Sequence, residues 1–302
     1  MIIHIRYSWI KATFTTLFML VMMAAHIPVQ AQQEEKALDA ATPWVETDYG
    51  RSRLIFSHQG LAIDNLEPYF LGWEIELNEG WKTYWRSPGD AGKPTTISFE
   101  GSENLKNHET YYPMPMRFEL FGITTYGYEN HLILPISLEV EDRNRAMTVQ
   151  AKVNYMVCEK VCVLLDHDYH LRVPAKEGAA SSAFQQAIMT AVAAVPKAQS
   201  TFLDGLKITQ TKVYGPVGHQ SLMVELTGIN HLSGADIIVE SEGGFHFGIP
   251  QRQLLQDGKT VRFIVKGKSY DRAADLSNQD IIITMIDGWG GVYERRLPAS
   301  SS

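Results

Sequence analysis

The sequence predicts an all-β protein of two tandem sandwich domains, and three observations carry this prediction. From about residue 44 onward, most of the chain consists of short apolar segments separated by Gly, Pro and Asn, which is typical of antiparallel β domains. Several of these segments alternate apolar and polar residues. One Ala-rich stretch of helical character separates an earlier from a later strand-rich region of the 302-residue chain.

The first β domain is expected at residues 44–175, and its clearest strands lie in its second half. Alternate residues are apolar in 131–140 (HLILPISLEV), and in 147–158 (MTVQAKVNYMVC) the apolar residues have odd numbers. Because successive side chains of a strand point to opposite faces, each apolar set lies on one face. Cys158 has an even number and is therefore expected to leave the core side.

A helical linker is expected at 176–200 and a second β domain at 201–298. Phe184, Ile188 and Val192 recur near helical spacing in the linker. Strand-like runs such as ADIIVES and DIIITMIDG follow, with Gly, Asn and Asp between them. Units of about a hundred residues with many short strands fit a β-sandwich. The predicted fold class is thus all-β, with two tandem immunoglobulin-like β-sandwich domains joined by a short helical linker.

The amino terminus has the pattern of an export signal at residues 1–31, followed by a flexible polar leader at 32–43. Two cationic residues precede an apolar run at 12–25, and small residues of a cleavage site follow at 29–31. The apolar run is shorter than the ~20 residues that a membrane-spanning helix needs. We therefore expect export and no stable membrane insertion.

The net charge argues against one class of partner. The formal charge is −7 at pH 7, which disfavours binding to nucleic acid or to anionic membranes. We expect no nucleic-acid partner. The chain is also long enough to bury a core without covalent help, so its two cysteines are not required for folding.

Both cysteines, Cys158 and Cys162, lie in the stretch VNYMVCEKVCVLLD (153–166). In an oxidising compartment they are expected to pair when they can reach each other. As a structural staple, a disulfide that closes so short a ring adds only ~2 kcal/mol to the free energy of unfolding, against ~4.7 kcal/mol for a hundred-residue loop. As a redox pair, neighbouring thiols allow the second to resolve a mixed disulfide. The spacing alone leaves the staple and the redox pair open.

A metal-binding alternative rests on Met114 and Met116. Soft sulfur ligands favour Cu(I), and these methionines would join the cysteines in a copper-handling protein. Ordinary packing of the two methionines is the competing interpretation. His167 and His170 also suggest a metal, but on a strand they point to opposite faces. We expect no metal site and no bound cofactor.

Three motifs follow one another in the first domain: GWKTYWRSPGDAGKP (80–94), PMPMRFELFGITTYGYENHLILPI (113–136) and VNYMVCEKVC (153–162). In this order they resemble the amino-terminal periplasmic domain of the DsbD and ScsB thiol:disulfide interchange proteins. The resemblance covers about residues 44–175, and the second domain resembles ScsB-type regions more loosely. It implies an immunoglobulin-like domain whose cysteine pair is reduced by a membrane-embedded partner and passes electrons to periplasmic thioredoxin-like proteins.

The resemblance also implies the residues of the site. Cys158 and Cys162 would be the redox pair, with Cys162 forming the mixed disulfide, although the residues themselves leave the more reactive cysteine open. A short cap loop shields the disulfide in the family. The matching residues here are Glu119, Leu120, Phe121 and Gly122. Tyr84 and Trp85 are expected either to line the same site or to pack in the core.

Two features depart from the family pattern. The sequence CVLLDH lacks the proline that the family often has soon after the second cysteine, and the chain ends at Ser302 without a transmembrane region or a thioredoxin-like domain. The reductant is therefore expected in a separate chain. The expected function is a periplasmic thiol:disulfide oxidoreductase that relays electrons to thioredoxin-like proteins. The alternatives are a copper-binding protein and a non-redox adaptor with a structural disulfide.

Overall fold

The computed structural model describes residues 40–57, 69–175, 183–198 and 205–300. The export signal expected at 1–31 lies outside the described residues. The described parts form strands in four sheets, together with one α-helix and one short 3-10 helix. The predicted all-β class is confirmed.

Two antiparallel sheets form the first domain. Its strands are, in chain order, β1 (Val45–Thr47), β2 (Gly50–Ser57), β3 (Tyr69–Leu77), β4 (Lys82–Gly89), β5 (Thr96–Ser98), β6 (Leu105–Thr110), β7 (Met116–Leu120), β8 (Ile123–Glu129), β9 (His131–Val140), β10 (Met147–Cys158) and β11 (Cys162–Val173). One sheet has the order β1-β2-β3-β9-β6. The other has the order β11-β10-β4-β8-β7, with β5 paired to β10, and we call it the cysteine sheet.

The core of the first domain lies between these two sheets and follows the alternation of the sequence. The odd-numbered residues of β10 from Met147 to Val157 are all buried in it, as are the even-numbered residues 132–138 of β9. Trp73 on β3 and Tyr155 on β10 join the two sheets, with ring centroids 4.9 Å apart. Each such large side chain contributes roughly 1.5–3 kcal/mol when it is fully buried.

The helix predicted in the linker is present as α1 (Gln185–Ala193), and it packs against the first domain. Ile188 is fully buried against Ile55, Phe70 and Ile133 on the outer face of the first sheet. β9 is consequently covered on both faces, which explains why its sequence HLILPI is nearly continuous in apolar residues.

The leader expected at 32–43 is not loose at its carboxyl end. Ala41 bridges to Ile55, and the backbone N–H of Thr42 donates to the carbonyl of Leu54 at 2.9 Å. The hydroxyl of Thr42 accepts the N–H of Leu54 in return, also at 2.9 Å. These bonds extend the edge of the first sheet, and a polar composition gave no sign of them.

The second domain also consists of two sheets. Its strands are β12 (Lys197–Ala198), β13 (Leu206–Tyr214), β14 (Ser221–Gly228), β15 (Asp236–Ser241), β16 (Phe245–Phe247), β17 (Gln251–Leu254), β18 (Thr260–Ser269), β19 (Asp280–Ile286) and β20 (Val292–Pro298), and a 3-10 helix spans Leu276–Asn278. The sheet orders are β12-β20-β19-β15 and β13-β14-β18-β16, with β17 paired to β18. Because β12 already pairs with β20, this domain begins at Lys197 rather than at residue 201. No helix among the described residues is both long and apolar enough to cross a membrane.

A buried carboxylate links three strands of the first sheet. Glu74 on β3 accepts a hydrogen bond from Arg53 Nε at 2.7 Å, and His131 Nε2 lies 3.0 Å from its other oxygen. Burial alone would raise the pKa of Glu74, but the hydrogen bonds to His131 and Arg53 and the charges of these two residues together outweigh it and lower that pKa. The hydrogen bond to Glu74 raises the pKa of His131.

We expect the free energy of unfolding to fall as the pH rises through the raised pKa of folded His131. Below the ordinary histidine pKa of about 6.5 the ring is charged in both states and the interaction is complete; above the raised pKa it is lost. The change should be roughly 0.5 kcal/mol, since solvent screens the half-exposed ring. Urea unfolding between pH 5.5 and 8 should therefore show a slope that His131→Gln removes and that His170→Gln, at an exposed position, retains. Equal slopes in both variants would contradict this.

Candidate redox site

The two cysteines face each other at the tip of the β10–β11 hairpin. Cys158 ends β10, Cys162 begins β11, and they are direct partners in the register of the two strands. Their Cα atoms are 4.1 Å apart, and a disulfide joins them. Opposite residues of an antiparallel pair are always close, so strand pairing itself brings the two thiols within bonding distance.

The two cysteines differ in their access to solvent. Cys158 is only 2% exposed, because β10 is an inner strand and Lys82 of β4 lies opposite it. Cys162 is exposed, since β11 is the edge strand of the cysteine sheet. A partner thiol can therefore reach Cys162 directly, whereas Cys158 is covered. Cys158 does lie on the face of the sheet opposite the core, as expected, but neighbouring side chains bury it on that face.

Tyr84 is the side chain that contacts the covered cysteine. Its hydroxyl donates to Cys158 Sγ at 2.9 Å and lies 3.9 Å from Cys162 Sγ. Burial raises the pKa of Tyr84, so this hydroxyl stays protonated and able to donate at neutral pH. Trp85, the next residue of the strand, points to the opposite face of the sheet and is fully buried in the core. The structure thus brings Tyr84, and not Trp85, to the disulfide.

A glycine-rich loop holds the ring of Tyr84 in place. Gly92 follows β4 with φ +105°, and a Cβ at this position would lie 2.3 Å from a ring carbon of Tyr84. Only glycine allows the backbone to approach the ring so closely. Gly92 of the SPGDAGKP motif therefore serves to cover the tyrosine that contacts the disulfide.

Lys82 is a residue of the site that sequence reasoning missed. It lies opposite Cys158 in the register, and its ammonium group is 4.6 Å from the ring centroid of Phe118 and 3.4 Å from Thr125 Oγ1. Burial lowers the pKa of Lys82. A cation close to a cysteine favours the thiolate form. The sequence does contain a signal for Lys82: it is two residues from Tyr84, so strand alternation places both side chains on one face of β4.

The predicted cap residues form the tip of the β7–β8 hairpin. Leu120 pairs with Ile123, and between them Phe121 and Gly122 have φ angles of 52° and 78°, as in a two-residue hairpin turn. All four residues from Glu119 to Gly122 are exposed, and Phe121 is 96% exposed. In this structure the loop therefore leaves Cys162 open. The aromatic residue of this hairpin that does contact the site is Phe118, through Lys82.

The methionines of the copper alternative lie elsewhere. Met114 and Met116 line a cavity of about 440 Å³ beside α1, together with His131. Neither cysteine is among its lining residues. Within the described residues there is no group of three or more His, Cys, Asp or Glu side chains with an arrangement suited to a metal ion.

Comparisons with protein families match both domains separately. Residues 63–174 match the family described as thiol:disulfide interchange protein DsbD, N-terminal. Residues 194–300 match a family described as a domain of unknown function (DUF8393). No curated protein sequence matches the chain significantly.

A solved structure extends the likeness over both domains. The crystal structure of the N-terminal periplasmic domain of ScsB from Proteus mirabilis matches with a TM-score of 0.67 and 21% sequence identity, over 87% of this chain and 100% of that chain. At this identity the match shows a shared fold. The fold and the disulfide thus define an all-β, disulfide-bearing protein of two sandwich domains. More specifically, residues 63–174 of its first domain match the amino-terminal family of the thiol:disulfide interchange protein DsbD.

Proposed function

We propose that this chain is a periplasmic thiol–disulfide interchange protein that uses Cys158 and Cys162 as its redox pair. It takes electrons from a membrane-embedded thiol reductant in a separate chain and passes them to periplasmic thioredoxin-like proteins. The observation that carries the proposal is the asymmetric disulfide, in which Cys162 is exposed and Cys158 is buried against Tyr84. The DsbD-type domain and the export signal expected at 1–31 support the compartment.

The reduction step follows from this asymmetry. A thiolate of the reductant attacks Cys162 Sγ, a mixed disulfide forms, and Cys158 leaves as a thiolate. The second thiolate of the reductant then attacks the reductant's first sulfur, which is bonded to Cys162 in the mixed disulfide. This attack forms the reductant's disulfide and releases Cys162. The reductant ends as a disulfide, and this protein ends as a dithiol that has gained two electrons and two protons.

The delivery step is the reverse. Cys162, as a thiolate, attacks the disulfide of a thioredoxin-like protein and forms a mixed disulfide with it. Cys158 then attacks Cys162 Sγ, restores the internal disulfide and releases the partner as a dithiol. The direct pairing of Cys158 with Cys162 across the hairpin keeps the resolving thiol close to the mixed disulfide. Neither step needs a bound cofactor.

Tyr84 and Lys82 supply the electrostatics for both steps. The Tyr84 hydroxyl is placed to donate to the thiolate that forms at Cys158, and Lys82 lies opposite the same residue. Charge-assisted hydrogen bonds of this kind are roughly twice as strong as neutral ones. The burial of Cys158 would otherwise oppose its ionisation.

The reduction potential of the pair tests this proposal. We expect equilibration with glutathione or thioredoxin to give a potential above about −300 mV, because structural disulfides generally lie below that value. The Cys158→Ser/Cys162→Ser double variant is the control that should show no redox transition. A potential below about −300 mV, together with no exchange with any thioredoxin-like protein, would leave the disulfide a structural staple. A double variant with unchanged function in cells would favour the adaptor alternative.

A further inference from the structure

Ion pairs join the second domain to the strand that carries Tyr84. Arg86 on β4 donates to both carboxylate oxygens of Glu240 on β15, at 3.0 Å from Nε and 2.6 Å from Nη2. It also pairs with Glu294 on β20. Glu240 is only 9% exposed, so this bidentate ion pair is largely shielded from solvent. Arg86 is only two residues from Tyr84 along β4.

A second ion pair joins the same strand of the second domain to the cap hairpin. Arg117 on β7 donates to the two carboxylate oxygens of Asp236 at 2.8 and 3.3 Å, and to the carbonyl of Ile237 at 2.9 Å. Arg117 immediately precedes Phe118. The base of the β7–β8 hairpin is therefore held by three hydrogen bonds to β15, while its tip at 121–122 is exposed.

A third contact between the two domains lies beside β8, the other strand of the β7–β8 hairpin. Asp90 exchanges hydrogen bonds with Thr124 at 2.9 and 2.8 Å, and Lys268 of β18 lies 3.8 Å from its other carboxylate oxygen. Ile238 of β15 is buried and packs with the core of the first domain. The second domain thus contacts β4, which carries Tyr84, and also β7 and the loop that fixes β8, the two strands whose Phe118 and Thr125 contact Lys82.

We propose that the second domain is a positioning platform for the redox site, in which the Arg117–Asp236 and Arg86–Glu240 pairs hold the cap hairpin and the Tyr84 strand at a fixed distance from Cys162. This inference rests on the proposed function in one respect: it assumes that a protein thiol docks at Cys162. Arg86 and Arg117 are positioning residues, since they contact neither sulfur directly: Arg86 holds the strand of Tyr84, which does contact sulfur, and Arg117 holds the hairpin whose Phe118 packs against Lys82. A protein partner must fit beside both hairpins, whereas a small thiol needs only Cys162.

A charge-swap series tests the platform. Arg117→Asp and Asp236→Arg should each increase backbone hydrogen exchange in residues 116–129, and the double variant, which restores an opposite-charge pair, should reverse the increase. Reduction of the disulfide by reduced thioredoxin should slow by about tenfold in the single variants, because a misplaced docking element impairs a protein reaction strongly. Reduction by dithiothreitol should change less than twofold.

A matched control is the exposed pair Arg296–Glu242 inside the second domain, where Arg296→Asp should change none of these measurements. Thermal unfolding of every variant establishes that it is folded, and Asp236→Asn is a milder alternative if a reversal variant is not. Unchanged hydrogen exchange at 116–129 in folded single variants would overturn the platform. If thioredoxin fails to reduce even the wild-type disulfide, the partner part of the proposed function fails, while hydrogen exchange still decides the platform.

Discussion

The Cys158→Ser variant is expected to accumulate a mixed disulfide with a thioredoxin-like protein through Cys162, while Cys162→Ser accumulates little or none. The reason is access: the thiol at position 162 is exposed on an edge strand, and the one at 158 is buried under Tyr84. Removing Cys158 also removes the resolving thiol, so the adduct persists. We expect the difference in trapped adduct to be at least about tenfold, the ratio that a barrier difference of 1.4 kcal/mol produces.

Non-reducing electrophoresis after incubation of each reduced variant with an oxidised thioredoxin-like protein measures this difference. Mass spectrometry of the adduct identifies the cysteine that carries the partner. The double serine variant sets the background. Equal trapping by the two single variants, or stronger trapping through Cys158, would contradict the assignment of Cys162 as the residue that forms the mixed disulfide with the partner.

Tyr84→Phe is expected to slow reduction of the disulfide by tenfold to a hundredfold. When a thiolate attacks Cys162, negative charge develops on Cys158 Sγ, and the Tyr84 hydroxyl at 2.9 Å is the donor that meets it. A hydrogen bond to a charged group contributes about 1.5–3 kcal/mol, and each 1.4 kcal/mol is a factor of about ten in rate. The ring itself remains, so packing against Gly92 is retained.

Stopped-flow reduction by dithiothreitol at fixed pH measures this rate, since a small thiol avoids any effect on partner docking. Tyr111→Phe is the matched control, because it removes a hydroxyl that bonds to Glu109 and Ser137 rather than to sulfur. Its rate should equal that of the wild type. A Tyr84→Phe rate within twofold of the wild type would remove the hydroxyl from the mechanism.

The sequence was sufficient for the features that depend on neighbouring residues. Alternation in β9 and β10 predicted which side chains form the core, and the same count placed Cys158 on the other side. The family motifs indicated a DsbD-type domain, which residues 63–174 match. Strand alternation also separates Tyr84 from Trp85, since adjacent residues of a strand face opposite ways, but it does not say which face carries the disulfide.

The features that escaped prediction depend on residues far apart in the chain. Arg86 and Glu240 are 154 positions apart, and Arg117 and Asp236 are 119 apart, so no local pattern reveals that they pair. The packing of α1 on the first sheet and the bonds of Thr42 to β2 are also tertiary contacts. The exposure of Phe121 follows from the geometry of a hairpin turn, which the letters FELFG do not specify.

The ladder that carries the disulfide has a consequence for the energetics of cycling. β10 and β11 are each 12 residues long and are paired from Met147 with Val173 up to the cysteines themselves. Backbone hydrogen bonds and the buried residues of β10 hold this hairpin whether or not the sulfur–sulfur bond exists. We therefore expect oxidised and reduced protein to share one backbone, so that the proposed redox cycle needs no unfolding of this hairpin.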